Sequence, residues 1–150
     1  MTPTEVELVQ HSFRRLSPLA DQVAGLFCAR LFELDPRVRS LFCGCMHDQG
    51  RTWIATLGSA VASLHDLESL LPSMRALGAR HGGQGLLEEH YGAMGDALLW
   101  TLHKRLGPDF TPAVREAWSA TYSLLAQAMI EGHRQATPPA HTLTASAALP

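Results

Sequence analysis

Eight histidines and three cysteines are the side chains here best suited to hold a metal or move a proton, and spacing separates one from the rest. Leu70, Met74, Leu77 and His81 follow one another at steps of four, three and four, the rhythm of a single helical face, so His81 ends an otherwise apolar stripe. Taken alone, such a histidine is more often a satisfied core residue than a ligand. Two further features favour the ligand. Gln49 lies one turn before Trp53 on the apolar face of another predicted helix, and Phe42 stands just before the loop that leads there. An apolar slot with one imidazole on one wall and one amide on the other suits a flat apolar macrocycle carrying a polar diatomic ligand.

The other candidates are weaker. Cys43-Gly44-Cys45-Met46-His47 invites a metal reading but misses the CxxCH spacing of covalent haem attachment and lacks the second ligand pair of a zinc site. His47 reaches an iron only if its loop refolds; if it is already helical it points about 160° away from Gln49. His11, His65, His103 and His141 read as surface residues. No Ser-His-Asp set, phosphate loop or carboxylate pair placed by motif is visible, so hydrolase chemistry finds no support and no catalytic residue is assigned.

The elements that must position these residues are helices: helix-start signals recur, and alternating strand patterns are scarce, so the fold class is all-α. Thr4 with Glu7 reads as a capping box, and Ser17-Pro18 as a new start, so the first helix stops near Leu16 and the second runs to about Leu34. Asp35-Pro36 restarts a short helix ending near Phe42, and CGCMHDQG reads as a loop. From about Gln49 to Leu64 the face is Trp53, Leu57, Ala60, Val61 and Leu64. The next helix runs from about Asp66 or Leu67 to Arg80, with Gly82-Gly83 as its stop. From Leu87 to Leu106 the inward side is Met94, Ala97, Leu98, Thr101 and Leu102, and after Thr111-Pro112 it is Val114, Trp118, Thr121, Leu125 and Met129. Residues 1–136 form the expected domain, and the proline-bearing, aperiodic tail 137–150 is expected to be disordered.

Bulk properties bound the partners. A chain of 150 residues, 46% hydrophobic and 17% charged, buries one core and has no room for a second catalytic domain. A net charge of −2 with scattered arginines gives no reason to expect nucleic acid or an acidic membrane. No apolar run approaches the roughly 20 residues of a membrane span and no signal peptide opens the chain, which points to the cytoplasm. There the three cysteines are expected to be reduced.

The segments LFELDPRVRSLF, LESLLPSMRALGARH and EEHYGAMGDALLWTL, ordered and well spaced within residues 4–133, resemble the bacterial single-domain globins, the branch that includes Vitreoscilla haemoglobin and the globin domains of flavohaemoglobins. The globin fold packs helices pairwise around a haem pocket, with a histidine on the proximal side. The resemblance implies a b-type haem whose iron takes His81, with Phe42 against the porphyrin and Leu77, Leu86, Tyr91, Met94 and Leu98 around it. A carbonyl one turn back, such as that of Leu77, would orient the imidazole. On the ligand side it implies Phe27, Cys28, Gln49 and Trp53, the Gln49 amide donating to bound dioxygen with about 1 kcal/mol.

Three positions depart from the family pattern. Cys28 replaces a tyrosine that donates to ligand, and the bland reading of it is a buried small hydrophobe. Trp53 replaces a leucine, bringing bulk and an indole N–H. His133 stands where relatives carry a glutamate that, with the tyrosine matched by Tyr91, makes the histidine more electron-donating; Glu131 is two residues away. The leading expectation is therefore reversible binding of O2, with NO and CO as further ligands, as in oxygen transport. One alternative is a nitric oxide dioxygenase fed by a separate reductase; the other is a sensor or haem-free globin whose ligand side Trp53 fills.

Overall fold

The computed structural model describes residues 1–38, 46–83 and 88–136, with 46–50 and 81–83 in backbone only. Phe42, Leu86, Cys43, Cys45, His141 and the tail 137–150 lie outside the described residues. The described residues form six α-helices and no strand, as the periodicity predicts. They are α1 (Pro3–Leu16), α2 (Ala20–Leu34), α3 (Met46–Ala62), α4 (Leu67–Gly83), α5 (Glu88–Leu106) and α6 (Pro112–Ala136), with single 3-10 turns at Ser17–Leu19, 36–38 and Gly107–Asp109. None of the described helices is long and apolar enough to cross a membrane.

Four boundaries differ from expectation. The capping box of α1 is Thr2 with Glu5: the Glu5 amide donates to Thr2 Oγ1 at 3.1 Å and the Thr2 amide to Glu5 Oε1 at 3.1 Å. Pro3 then takes the first helical position, where its missing N–H costs nothing, and this favours Thr2 over Thr4 as the cap. Ser17-Pro18 makes a 3-10 turn ahead of α2. Residues 46–48, expected in a loop, already belong to α3, and Gly82-Gly83 ends α4 from inside its last turn. At the end of α5 Gly107 has φ of +56°, the left-handed conformation that glycine adopts without a Cβ clash.

Packing follows the predicted faces. Ala97, Leu98, Thr101 and Leu102 of α5 and Trp118 and Thr121 of α6 are essentially sealed from solvent. Helix α2 lies between α3 and α5, α1 rests on α6 and α3, and α4 packs on α6. Trp118 anchors α1: its indole N–H donates to Ser12 Oγ at 2.8 Å, and that hydroxyl lies 2.8 Å from the Leu8 carbonyl, to which it donates. Gln10 Nε2 donates to the Val61 carbonyl at 3.0 Å and ties α1 to α3. The outcome for function is that α3 and α4, consecutive in the chain, are held by different neighbours.

Candidate functional site

The α3 wall is built from its contact with α2. Leu57, Ala60, Val61 and Leu64 are buried as expected and Ile54 joins them, while Trp53 stays half-buried. Its ring is nevertheless committed: it stacks on Phe27 of α2, with centroids 3.9 Å apart and planes 12° from parallel. Cys28, beside Phe27, is 2% exposed, and desolvation pushes its thiol up, so it is a neutral S–H. Two of the four residues expected on the ligand side, Phe27 and Trp53, thus meet at the α2/α3 contact, and Cys28 is buried on α2. Gln49 lies one turn before Trp53 on the first turns of α3, and its side chain is outside the described residues.

The α4 wall carries Leu70 and Met74 buried and Leu77 half-buried, and position 81 follows one turn later on the same helix. The His81 side chain lies outside the described residues. What fixes α4 is its crossing with α6. A Cβ on Gly78 would run into the Met129 backbone, and one on Gly132 into the Arg75 backbone, both well inside the 3.0 Å that real Cβ atoms keep. Across the same crossing Arg75 Nε donates to Glu131 at 3.4 Å. The carboxylate two residues from His133 is therefore engaged by α4.

Helix α5 contributes Tyr91, Met94 and Leu98, all buried. Tyr91 is 5% exposed, burial pushes its phenol up to about 12, and its hydroxyl has no hydrogen-bond partner among the described residues. Its carbonyl, in contrast, accepts from Tyr122 Oη at 2.6 Å, and the Tyr122 ring lies against Gly95, where a Cβ would not fit. Desolvation first, then Tyr91 and Asp96, raises the Tyr122 phenol further, so both tyrosines are neutral hydroxyls. The Nδ1 atom of His133 on α6 is likewise buried without a partner among the described residues.

A second group of charges escaped the sequence reading. The Asp35 carboxylate, ending α2, receives Arg37 Nε at 3.0 Å and Nη2 at 3.1 Å, and Arg37 Nη1 donates to Glu89 of α5 at 3.1 Å. Hydrogen bonding from Arg37 holds Asp35 below the ordinary carboxylate range, and Asp35 holds the guanidinium above its own. His90, 5% exposed, faces this group. The only sequence cue was Asp35-Pro36, legible as a turn. Its partners more than fifty residues on carry no local signature. His11, His65 and His103 are exposed as expected. Among the described residues no three His, Cys, Asp or Glu side chains converge to hold a metal.

Comparison with known proteins adds a family. The family model described as Globin matches residues 26–129. Among curated relatives, the neuroglobin of Danio rerio is 32% identical over 117 residues, covering 69% of this chain and 74% of that protein. The neuroglobins of Chaenocephalus aceratus and Dissostichus mawsoni are each 29% identical over 146 residues, covering 88% of this chain and 92% of theirs. These relatives are vertebrate proteins, so the comparisons carry the family and not the bacterial branch that the residue patterns resembled.

Proposed function

The chain belongs to the globin family, and from that premise we propose that it is a haem-binding protein that reversibly takes a diatomic gas, O2 with NO and CO as further ligands, at an iron held by His81. When bound, the haem supplies a ferrous iron with a free coordination position. Everything else falls to the side chains. His81 of α4 is the proximal ligand, and Leu77, Tyr91, Met94 and Leu98, with Phe42 and Leu86, hold the macrocycle. The group is b-type, since no CxxCH motif is present to attach it covalently. The globin domain spans residues 1–136.

One observation above all supports the fit of this group: the unpartnered Tyr91 hydroxyl. A buried hydroxyl with no partner costs about 1–3 kcal/mol, and folded proteins rarely carry that cost without a use. A neutral phenol at this position is a donor for a polar atom of the bound group or for its histidine ligand. The packing of α3 and α4 on different partners supports the same reading, because it lets a flat ligand part them.

On the ligand side Gln49 is the donor to bound gas, and the Phe27–Trp53 stack sets the space around it. Cys28 contributes volume and only a weak donor. The test is a haemin titration of the apoprotein followed by reduction and CO. Stoichiometric uptake, a Soret band that shifts with CO, and loss of the parent band in His81→Ala are expected; no uptake, or a band indifferent to His81→Ala, removes the assignment.

The stack favours a second reading, a sensor whose ligand side is closed by Trp53. In that case haemin binds one to one and CO shifts nothing. A nitric oxide dioxygenase would need electrons from a separate reductase. Slow oxidation and little nitrate on mixing the oxygenated protein with NO would dismiss it. A cytoplasmic location belongs to the same proposal.

A further inference from the structure

We infer that two glycines, Gly78 of α4 and Gly132 of α6, set the position of the helix that carries His81 and so determine how firmly its imidazole holds the group proposed above. This inference rests on that reading of position 81. The two contacts are reciprocal: Gly78 lies on the Met129 backbone and Gly132 on the Arg75 backbone. The spacing, 78 with 129 and 75 with 132, makes them successive rungs of an antiparallel crossing. In both cases the atoms that an added Cβ would meet are a carbonyl oxygen, its carbon and a Cα. Backbone atoms cannot rotate out of the way as a side chain can, so a methyl group on either glycine must move a whole helix.

The remaining contacts of α6 explain why α4 would be the helix to move and why the effect would be local. Helix α6 is held along its first half by α1, through Trp118 and Ser12. It also fixes the start of α5, where Arg134 Nε donates to Glu88 at 2.7 Å and Tyr122 to the Tyr91 carbonyl at 2.6 Å. Helix α4 has its principal packing on α6 alone. Position 81 follows Gly78 by one turn on the same rigid helix, so a displacement at the crossing reaches it almost undiminished. Gly78 and Gly132 are therefore positioning residues: they touch neither cofactor nor gas, and act through the histidine. Glycine inside a helix is destabilising relative to alanine. At these two places that cost is offset by an approach no other residue permits.

The test uses the full chain loaded with haemin. Gly132→Ala is expected to shift the iron–histidine stretching band of the ferrous protein and to speed haem loss to an excess of an accepting protein by about tenfold or more, the range for groups that orient a metal ligand. Val9→Ala, a cavity in α1, which is not one of the two helices of the crossing, serves as the control: it should lower the melting temperature and leave the band where it is. In His81→Gly supplied with free imidazole the ligand is no longer tethered to α4, so Gly132→Ala should there change nothing.

An unmoved band and an unchanged rate of haem loss in folded Gly132→Ala overturn the inference. So does an equal shift in Val9→Ala, or a shift that survives in the imidazole background. Should circular dichroism show that Gly132→Ala does not fold, Gly78→Ala places the methyl group on the other rung, against the Met129 backbone; the same band shift is expected, and an unmoved band in that folded variant again refutes the idea. A parent protein that takes up no haemin exposes the failure of the functional reading before any variant is made, and the inference falls with it.

Discussion

Replacing Tyr91 by phenylalanine removes one oxygen and keeps the ring. That oxygen is buried without a partner among the described residues, and the phenol is neutral because desolvation raises it to about 12. The desolvation cost of such a group is about 1–3 kcal/mol; set against the small packing loss of one atom, Tyr91→Phe should make the apoprotein more stable by about 1 kcal/mol. With a urea slope of about 2 kcal/mol per molar, the midpoint rises by roughly 0.5 M. If the haem or its histidine ligand gives the hydroxyl a partner, as proposed, losing that hydrogen bond in the loaded protein costs about 1 kcal/mol. The two effects add in the binding equilibrium, so haem affinity should fall by about 2 kcal/mol, roughly thirtyfold. Urea unfolding of parent and variant, with and without haemin, measures both. An apo variant less stable than the parent, or a haem affinity that does not change, would refute the reasoning, since the first means that the hydroxyl already has a partner without haem and the second that haem brings it none.

Trp53→Leu dissolves the stack on Phe27; CO association followed by flash photolysis should speed up several-fold and stability should fall by about 1–3 kcal/mol, whereas an unchanged rate would free the stack of any part in ligand entry. Ser12→Ala leaves the fully buried Trp118 indole N–H without its acceptor; a loss of about 1–3 kcal/mol is expected, seen as a melting temperature lower by roughly 3–10 °C. Asp35 has a folded pKa below its unfolded one. Its stabilising effect is therefore complete above the unfolded value of about 3.9 and is lost as pH falls through the folded value. Urea midpoints compared across the acid range should drop less steeply in Arg37→Gln than in the parent, and parallel curves would mean that Arg37 is not the cause.

The helices were legible because their faces obey one period. Ala97, Leu98, Thr101 and Leu102, or Val114, Trp118, Thr121 and Leu125, can be read as buried without knowing what covers them. Ends were harder. Thr2-Glu5 and Thr4-Glu7 are overlapping boxes, and Pro3 favours the earlier one only once its place in the first turn is known. Met46-His47-Asp48 lies in a glycine-bearing, mostly polar stretch of sequence, yet it is already helical.

What sequence periodicity does not carry is pairing across the chain. Gly78 and Gly132 look like two helix-weakening residues until their partners, Met129 and Arg75, are seen. Asp35 reads as a turn until Arg37 and Glu89 join it to α5. The resemblance implied the ligand side for Trp53, but nothing in the sequence pairs it with the ring of Phe27. The family was legible from LFELDPRVRSLF, LESLLPSMRALGARH and EEHYGAMGDALLWTL taken together, because three long segments in one order and at plausible distances constrain one another. The branch was not: Cys28, Trp53 and His133 are the very positions that depart from the bacterial pattern, and the relatives found are vertebrate neuroglobins.

Absorption spectra of the purified, haemin-loaded protein in its ferric, ferrous and CO-bound forms, taken beside those of His81→Ala, test most directly whether an imidazole at position 81 holds an iron. One haem per chain, a Soret band that moves on adding CO, and its collapse or displacement in His81→Ala are the predicted results. A chain that leaves haemin free in solution, or an alanine variant whose spectra match the parent in all three states, would contradict it.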